Sequence, residues 1–140
     1  MNNLIIQYVP VLAIQHVWAD VEHFLRDALE KAGADEYTVE QLKVFLVQGN
    51  QDLFVAVDEQ NQVHGAGTVR FVDYPQHRVA FVTTIGGKLF TNQETWGQFV
   101  ALLKSKGATR VQGAARESIA RLWRRYGFRE RHVIVEADLT

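Results

Sequence analysis

The thirty residues from Arg110 to Leu139 constrain the fold of this 140-residue chain more than any other stretch, because a strand, a helix and a second strand follow one another there without a linker. Residues 109–113 are short and β-compatible. Ser118, Ile119, Ala120, Leu122, Trp123 and Tyr126 then recur at helical spacing, and Gly127 stands where a left-handed C-cap would end the helix. From Phe128 to Leu139 the pattern returns to a period of two, which predicts a closing strand. The fold class is therefore α/β, in the α+β sense.

The upstream chain continues in the same style. Residues 4–9 predict a first strand, and Pro10 opens a loop. Between His16 and Ala32, the residues Val17, Val21, Phe24, Leu25, Ala28 and Leu29 fall on one stripe, the mark of an amphipathic helix that Gly33 stops. After a polar loop with Asp35 and Glu36, Thr38 and Gln41 form a capping box for a second helix, which runs to Gly49 and Asn50. Three β segments follow, at 53–57, 63–72 and 79–85, joined by links short enough for antiparallel hairpins. Gly65 and Gly67 in the middle segment predict a bulge or a close backbone approach. Thr91 and Glu94 read as another capping box, and Trp96, Phe99, Val100 and Leu103 mark a third helix that ends at Gly107.

Composition bounds the function. With 47% hydrophobic and 22% charged residues, the chain reads as one domain over 1–140 with a single core. The absence of cysteine excludes a disulfide framework, thiolate zinc sites and a cysteine nucleophile, and fits a reducing compartment or indifference to redox. The N-terminal stretch is broken by Gln7 and Pro10 and has no basic start, so it predicts a strand of a cytoplasmic protein and no membrane span. His16 and His23 are seven apart with no third ligand at compatible spacing, which argues against a metal site. Charge is uneven: residues 1–60 sum to −7 and residues 110–132 to +5. Arg116, Arg121, Arg124 and Arg125 are either an anion site or a solvated helix face turned to an acidic first half. A nucleic-acid partner is disfavoured, because Tyr126 and Phe128 already complete a helical stripe.

The resulting order, β-α-α-β-β-β-α-β-α-β, is the one used by the GNAT superfamily of acetyl-CoA-dependent N-acyltransferases, and the ending resembles motif B of that superfamily. The motif is an Asn, an Ala three residues on, then Leu-Tyr, and a closing Gly-Phe. Leu122, Gly127 and Phe128 match it, while Arg116, Ile119 and Trp123 stand at the Asn, Ala and Tyr positions. The chain also resembles the short GNAT-like proteins of tailed-phage genomes, through Trp18, Tyr74-Pro75, Gly86-Gly87 and Arg116. The resemblance implies a mixed, mostly antiparallel sheet with helices on both faces, open between its fourth and fifth strands.

It also implies a site. Acetyl-CoA would lie in that opening with its pantetheine arm along Val82, Thr83, Thr84 and Ile85, near Arg116 and Trp123, and its pyrophosphate on the amides that begin the third helix. The family marks that loop with Gln or Arg, two free positions, Gly, one free position, and Gly or Ala. Counted back from Gly107, the positions hold Gly87, Phe90 and Asn92, so the motif is absent. Gly86, Gly87 and Lys88 offer a shifted loop of two permissive backbone positions and a cation. Trp123 cannot protonate a leaving thiolate, because an indole N–H has no useful acidity; Tyr126, three residues on, is the substitute. His64, Asp73 and Glu94 are the candidates for the base. The acceptor would be an amine, on a small molecule or a protein, drawn to acidic residues such as Asp20, Glu22, Asp27, Glu30, Asp35 and Glu36. Dimers are common among similar folds, so a homodimer is allowed. The alternative to an acyltransferase is a phage-encoded GNAT-fold protein that has lost its cofactor site and serves in binding or assembly.

Overall fold

A computed structural model describes residues 3–33 and 35–140. Strand β1 (Ile5–Val9) leads through a 3-10 turn (Val11–Ala13) directly into helix α1 (Ile14–Ala32), so the helix begins two residues before the stripe that predicts it. Ile14, Val21, Leu25 and Leu29 are its buried face, and Gly33, at φ 63°, caps it in the left-handed conformation that a Cβ disfavours. Helix α2 (Val39–Val47) starts at the Thr38–Gln41 capping box, with both reciprocal hydrogen bonds formed.

Strands β2 (Asp52–Val57), β3 (Val63–Asp73) and β4 (Arg78–Gly87) pair antiparallel in sequence order, with β1 on the outside of β2. Alternation along β2 divides the core. Leu53, Val55 and Val57 pack under α1 and α2, while Phe54 and Ala56 pack with Phe99 and Leu103 of helix α3 (Gln93–Ser105) on the other face. Helices therefore cover both faces, as expected. Gly65 and Gly67 mark a close approach: a Cβ on Gly65 would stand 2.5 Å from the Leu89 amide nitrogen, and one on Gly67 would stand 2.6 Å from the Leu89 side chain. The chain leaving β4 folds back over these glycines and buries Leu89.

Strand β5 (Arg110–Gly113) adds parallel to β4, and helix α4 (Glu117–Trp123) continues as a 3-10 turn (Arg124–Tyr126) to Gly127, at φ 89°. Two details depart from the sequence reading. The capping box of α3 is Asn92 with Thr95, one residue beyond Thr91 and Glu94; the Asn92 carboxamide oxygen accepts from the Thr95 amide at 2.9 Å. Helical spacing alone does not separate these registers. The predicted strand after Phe128 is not formed. Residues 128–140 lie in no strand, and Val133, Ile134, Val135 and Leu139 are 76–95% exposed, since a β segment needs a neighbouring edge to satisfy its backbone. The observed order therefore ends at α4, with five strands. Among the described residues no helix is long and apolar enough to cross a membrane.

Candidate active site

The sheet opens where β4 and β5 part. Their parallel ladder runs from the Val79–Arg110 pair to the Val82–Gly113 pair and stops. At that level β4 bulges: Thr68 of β3 faces Thr84, Val69 faces Val82, and Thr83 is the extra residue between them. A bulge bends its strand, so β4 swings away from β5 and residues 83–87 keep a second edge with no strand partner. Trp123 closes the base of the opening. Its side chain is buried over Gly113, where a Cβ would come within 2.8 Å of the indole. The cleft above has a volume of about 700 Å³, within the range of small-molecule sites.

Four groups of residues give the cleft its chemistry. On the β4 wall, the Thr83 hydroxyl donates to Gln51 Oε1 at 2.6 Å and lies 2.7 Å from the Thr68 hydroxyl, so its hydrogen-bonding capacity is spent inside the protein. The Thr84 hydroxyl is buried in the same wall and has no partner among the described residues, although buried hydroxyls are normally satisfied. From α1 come His23, Asp27 and Lys31, one turn apart on a stripe beside the core-facing one. From α4 and the turn after it come Arg116 and Arg125. Among the described residues neither is in an ion pair, whereas Arg121 and Arg124 lie against Glu117 and Glu130. The Gln93 side chain donates to the Arg125 carbonyl at 2.9 Å and ties this turn to the start of α3. Tyr126 lines the cleft with its ring edge-on to Phe90 and tilted on Trp96.

The structure thus brings together Val82, Thr83, Thr84, Ile85, Gly86, Gly87, Arg116, Trp123 and Tyr126, all of which the sequence singles out. It places others elsewhere. His64 Nε2 lies 2.7 Å from Asp58 Oδ2, in the turn that leads into β3, and is not part of the cleft lining. That bond, with the Gln62 and Gln60 amides, holds the Asp58 carboxyl below the usual carboxylate range. Asp73 takes both its bonds from Arg78 at the β3–β4 hairpin, at the opposite end of β4 from the opening. Glu94 is an exposed first-turn residue of α3, and Asn92 spends its side chain on the cap.

Gly86 and Gly87 have a packing reason of their own. A Cβ on Gly86 would sit 2.1 Å from the Phe24 carbonyl oxygen, and one on Gly87 would sit 2.6 Å from both the Phe24 ring and the His64 carbonyl. The glycines let α1 lie directly on β4. Lys88 is exposed, its amide donates to the His64 carbonyl at 2.9 Å, and it is not a lining residue. Phe90, at a position the family motif gives to glycine, lines the cleft, and its ring stacks on Phe99 at 5.6 Å within the aromatic cluster. His23, Lys31 and Thr91 line the cleft without having been singled out for it. Only the second stripe of α1, His23-Asp27-Lys31, carries a sequence signal for them.

No protein-family model matches the sequence, and no curated protein matches it. Solved structures do. An aminoglycoside acetyltransferase from an uncultured soil metagenomic sample, in complex with sisomicin, superposes with a TM-score of 0.69 at 17% identity, over 98% of this chain and 97% of that one. A predicted acetyltransferase from Clostridium acetobutylicum with acetyl-CoA gives 0.65 at 14% identity over 98% and 97%. A probable acetyltransferase gives 0.68 at 14% identity over 96% of both chains. The chain has the GNAT acetyltransferase fold, with its cleft at the parting of the fourth and fifth strands.

Proposed function

We propose that this chain is an acyl-CoA-dependent N-acyltransferase that moves an acetyl group to an amine by direct attack in a ternary complex. The observation that carries the reading is the β4 wall: an unpaired strand edge beside a buried, unpartnered Thr84 hydroxyl, in a cleft large enough for the thioester arm. An amide-bearing arm laid along residues 83–87 would take the hydrogen bonds that β5 leaves unmade. Arg116 and Arg125, cleft residues in no ion pair among the described residues, are the cations this reading assigns to the phosphates. The amine nitrogen attacks the thioester carbonyl carbon, the carbon–sulfur bond breaks, and the thiolate takes up a proton. Tyr126 is the cleft's phenol donor for that proton, and Asp27 and His23 are the groups on the α1 side that can receive the one lost by the amine.

The acceptor on this reading is a small-molecule amine. A fold neighbour in complex with an aminoglycoside supports that class, and Asp27 supplies the matching charge. Such chemistry belongs in the cytoplasm, where acyl-CoA is made. One observation favours a second reading, a binding or assembly factor on the same fold: Trp123, at the motif B Tyr position, is committed to packing over Gly113. The test is thiol release from acetyl-CoA with a panel of polyamines, aminoglycosides and lysine peptides, with products weighed by mass spectrometry. Amine-dependent release that falls at least tenfold in Tyr126→Phe supports the transferase. No acetyl-CoA binding, and no release with any amine, favours the second reading.

A further inference from the structure

The wall that α1 gives the cleft carries its charges in a fixed order. His23, Asp27 and Lys31 all line it. Each stands one turn after the last, so they form a row with steps of about 6 Å along the helix axis. Asp27 and Lys31 have the spacing of a helical salt bridge, yet among the described residues neither is in an ion pair, whereas Glu22 on the neighbouring row is taken by Arg26. Lys31 lies in the last turn of α1, where the helix dipole favours a cation. The dipole accounts for the charge, and not for its place on the cleft wall.

The whole lining sets the balance. Its fixed cations are Lys31, Arg116 and Arg125, against the single carboxylate of Asp27, and His23 and Tyr126 complete the titratable groups. Of the acids that the sequence offers to a cationic acceptor, Asp27 lines the cleft, while Asp20, Glu22, Glu30, Asp35 and Glu36 do not. With Arg116 and Arg125 given to the phosphates, one negative and one positive side chain remain for the acceptor. A polyamine or an aminoglycoside brings several ammonium groups to one carboxylate, and its surplus charge meets Lys31. An amine with no other charge leaves Lys31 unanswered. An amine that carries its own anion satisfies both, with the ammonium at Asp27 and the anion at Lys31.

We propose that the acceptor is a small zwitterion, an amine that also bears a carboxylate or a phosphate, and that Lys31 selects it by taking the anionic group. This rests on the transferase reading and names the acceptor within it. The row sets His23 on the far side of Asp27 from Lys31, so the amine is held beside a group that can receive its proton. Overall, the ammonium and the thioester become an amide, a thiol and one released proton. The product has lost the charge that Asp27 holds and keeps only the anion, which favours its departure.

Two measurements on the full chain tell this proposal and the transferase reading apart. The first needs no turnover: isothermal titration of the chain saturated with CoA. The ligands are amino acids, 4-aminobutyrate and phosphoethanolamine, each beside a partner without the anion (amino-acid amides, butylamine and ethanolamine), with spermidine and sisomicin as polycations. At least one zwitterion is expected to bind roughly tenfold more tightly than its partner. That preference is expected to be lost in Lys31→Gln and reversed in Lys31→Glu, both with the parent's circular dichroism, since Lys31 is exposed. The second measurement is the rate of thiol release from acetyl-CoA with the same panel, where Lys31→Gln is expected to raise KM for the zwitterion more than it lowers kcat. Zwitterion preference in binding with no thiol release would count against the transferase and leave the specificity standing. Faster release with spermidine or sisomicin than with every zwitterion would overturn the specificity and leave the transferase standing. A preference that neither Lys31 variant moves by about twofold overturns the proposal, as does a chain that binds none of the panel.

Discussion

Replacing Gly86 by alanine tests whether the glycine pair is there to seat α1. Gly86 is not among the positive-φ glycines, so alanine can adopt its backbone conformation, and the unfolded-state term alone would stabilise the protein by about 0.4–1 kcal/mol. Packing acts the other way. The new methyl would stand 2.1 Å from the Phe24 carbonyl oxygen and 2.8 Å from its carbonyl carbon, both backbone atoms within α1. Neither can rotate away, so the helix must lift by roughly 1 Å over a face that holds Val21, Leu25 and Leu29. Overpacking of this kind costs about 1–3 kcal/mol. The net expectation is a loss of about 1–2 kcal/mol. Gly97→Ala is the control: it lies inside α3 with nothing within 4 Å of a Cβ, and gains about 0.5–1 kcal/mol from helix propensity alone. Urea unfolding followed by circular dichroism reads both. Opposite signs are expected, and a Gly86→Ala protein as stable as the parent would refute the reasoning and return the glycine to a ligand role.

Three further outcomes follow from the geometry. Trp123→Ala removes a buried indole packed over Gly113 and against Phe128, and is expected to cost about 3–5 kcal/mol in the same unfolding assay. Thr84→Val deletes a hydroxyl with no partner among the described residues; it is expected to leave stability within about 0.5 kcal/mol, while the lost ligand bond, worth about 0.5–1.5 kcal/mol, weakens acetyl-CoA binding by roughly two- to tenfold. The Asp58 carboxyl is held below its unfolded value by His64 and two amides, so its contribution is complete above the usual carboxylate range and is lost as pH falls through the lower, folded value. Asp58→Asn is therefore expected to flatten the acid end of the stability profile measured by thermal unfolding.

Much of this fold is legible from local chemistry. The α1 stripe, Gly33 and the Thr38–Gln41 box each carry their own signal within a few residues, and each is found where the sequence places it. The features that make the cleft are not local. The bulge at Thr83 exists because β3 and β4 share a register that no single strand reveals, and the Thr84 hydroxyl is unpartnered only in relation to that bulge. Gly86 reads as a loop glycine until α1 is laid across it. The alternation from Val133 to Leu139 predicts a strand that is not formed, because a period of two does not say which sheet edge would satisfy the segment's backbone. The base candidates His64 and Asp73 are likewise separated from the cleft by long-range geometry, one drawn to Asp58 and the other to Arg78.

The central claim is that the opening between β4 and β5 holds acyl-CoA, and isothermal titration of the purified chain with acetyl-CoA addresses it most directly. The account predicts micromolar binding at one site per chain, weakened in Arg125→Ala and Thr84→Val and unchanged in Lys88→Ala. A folded protein that gives no heat at millimolar acetyl-CoA would contradict it.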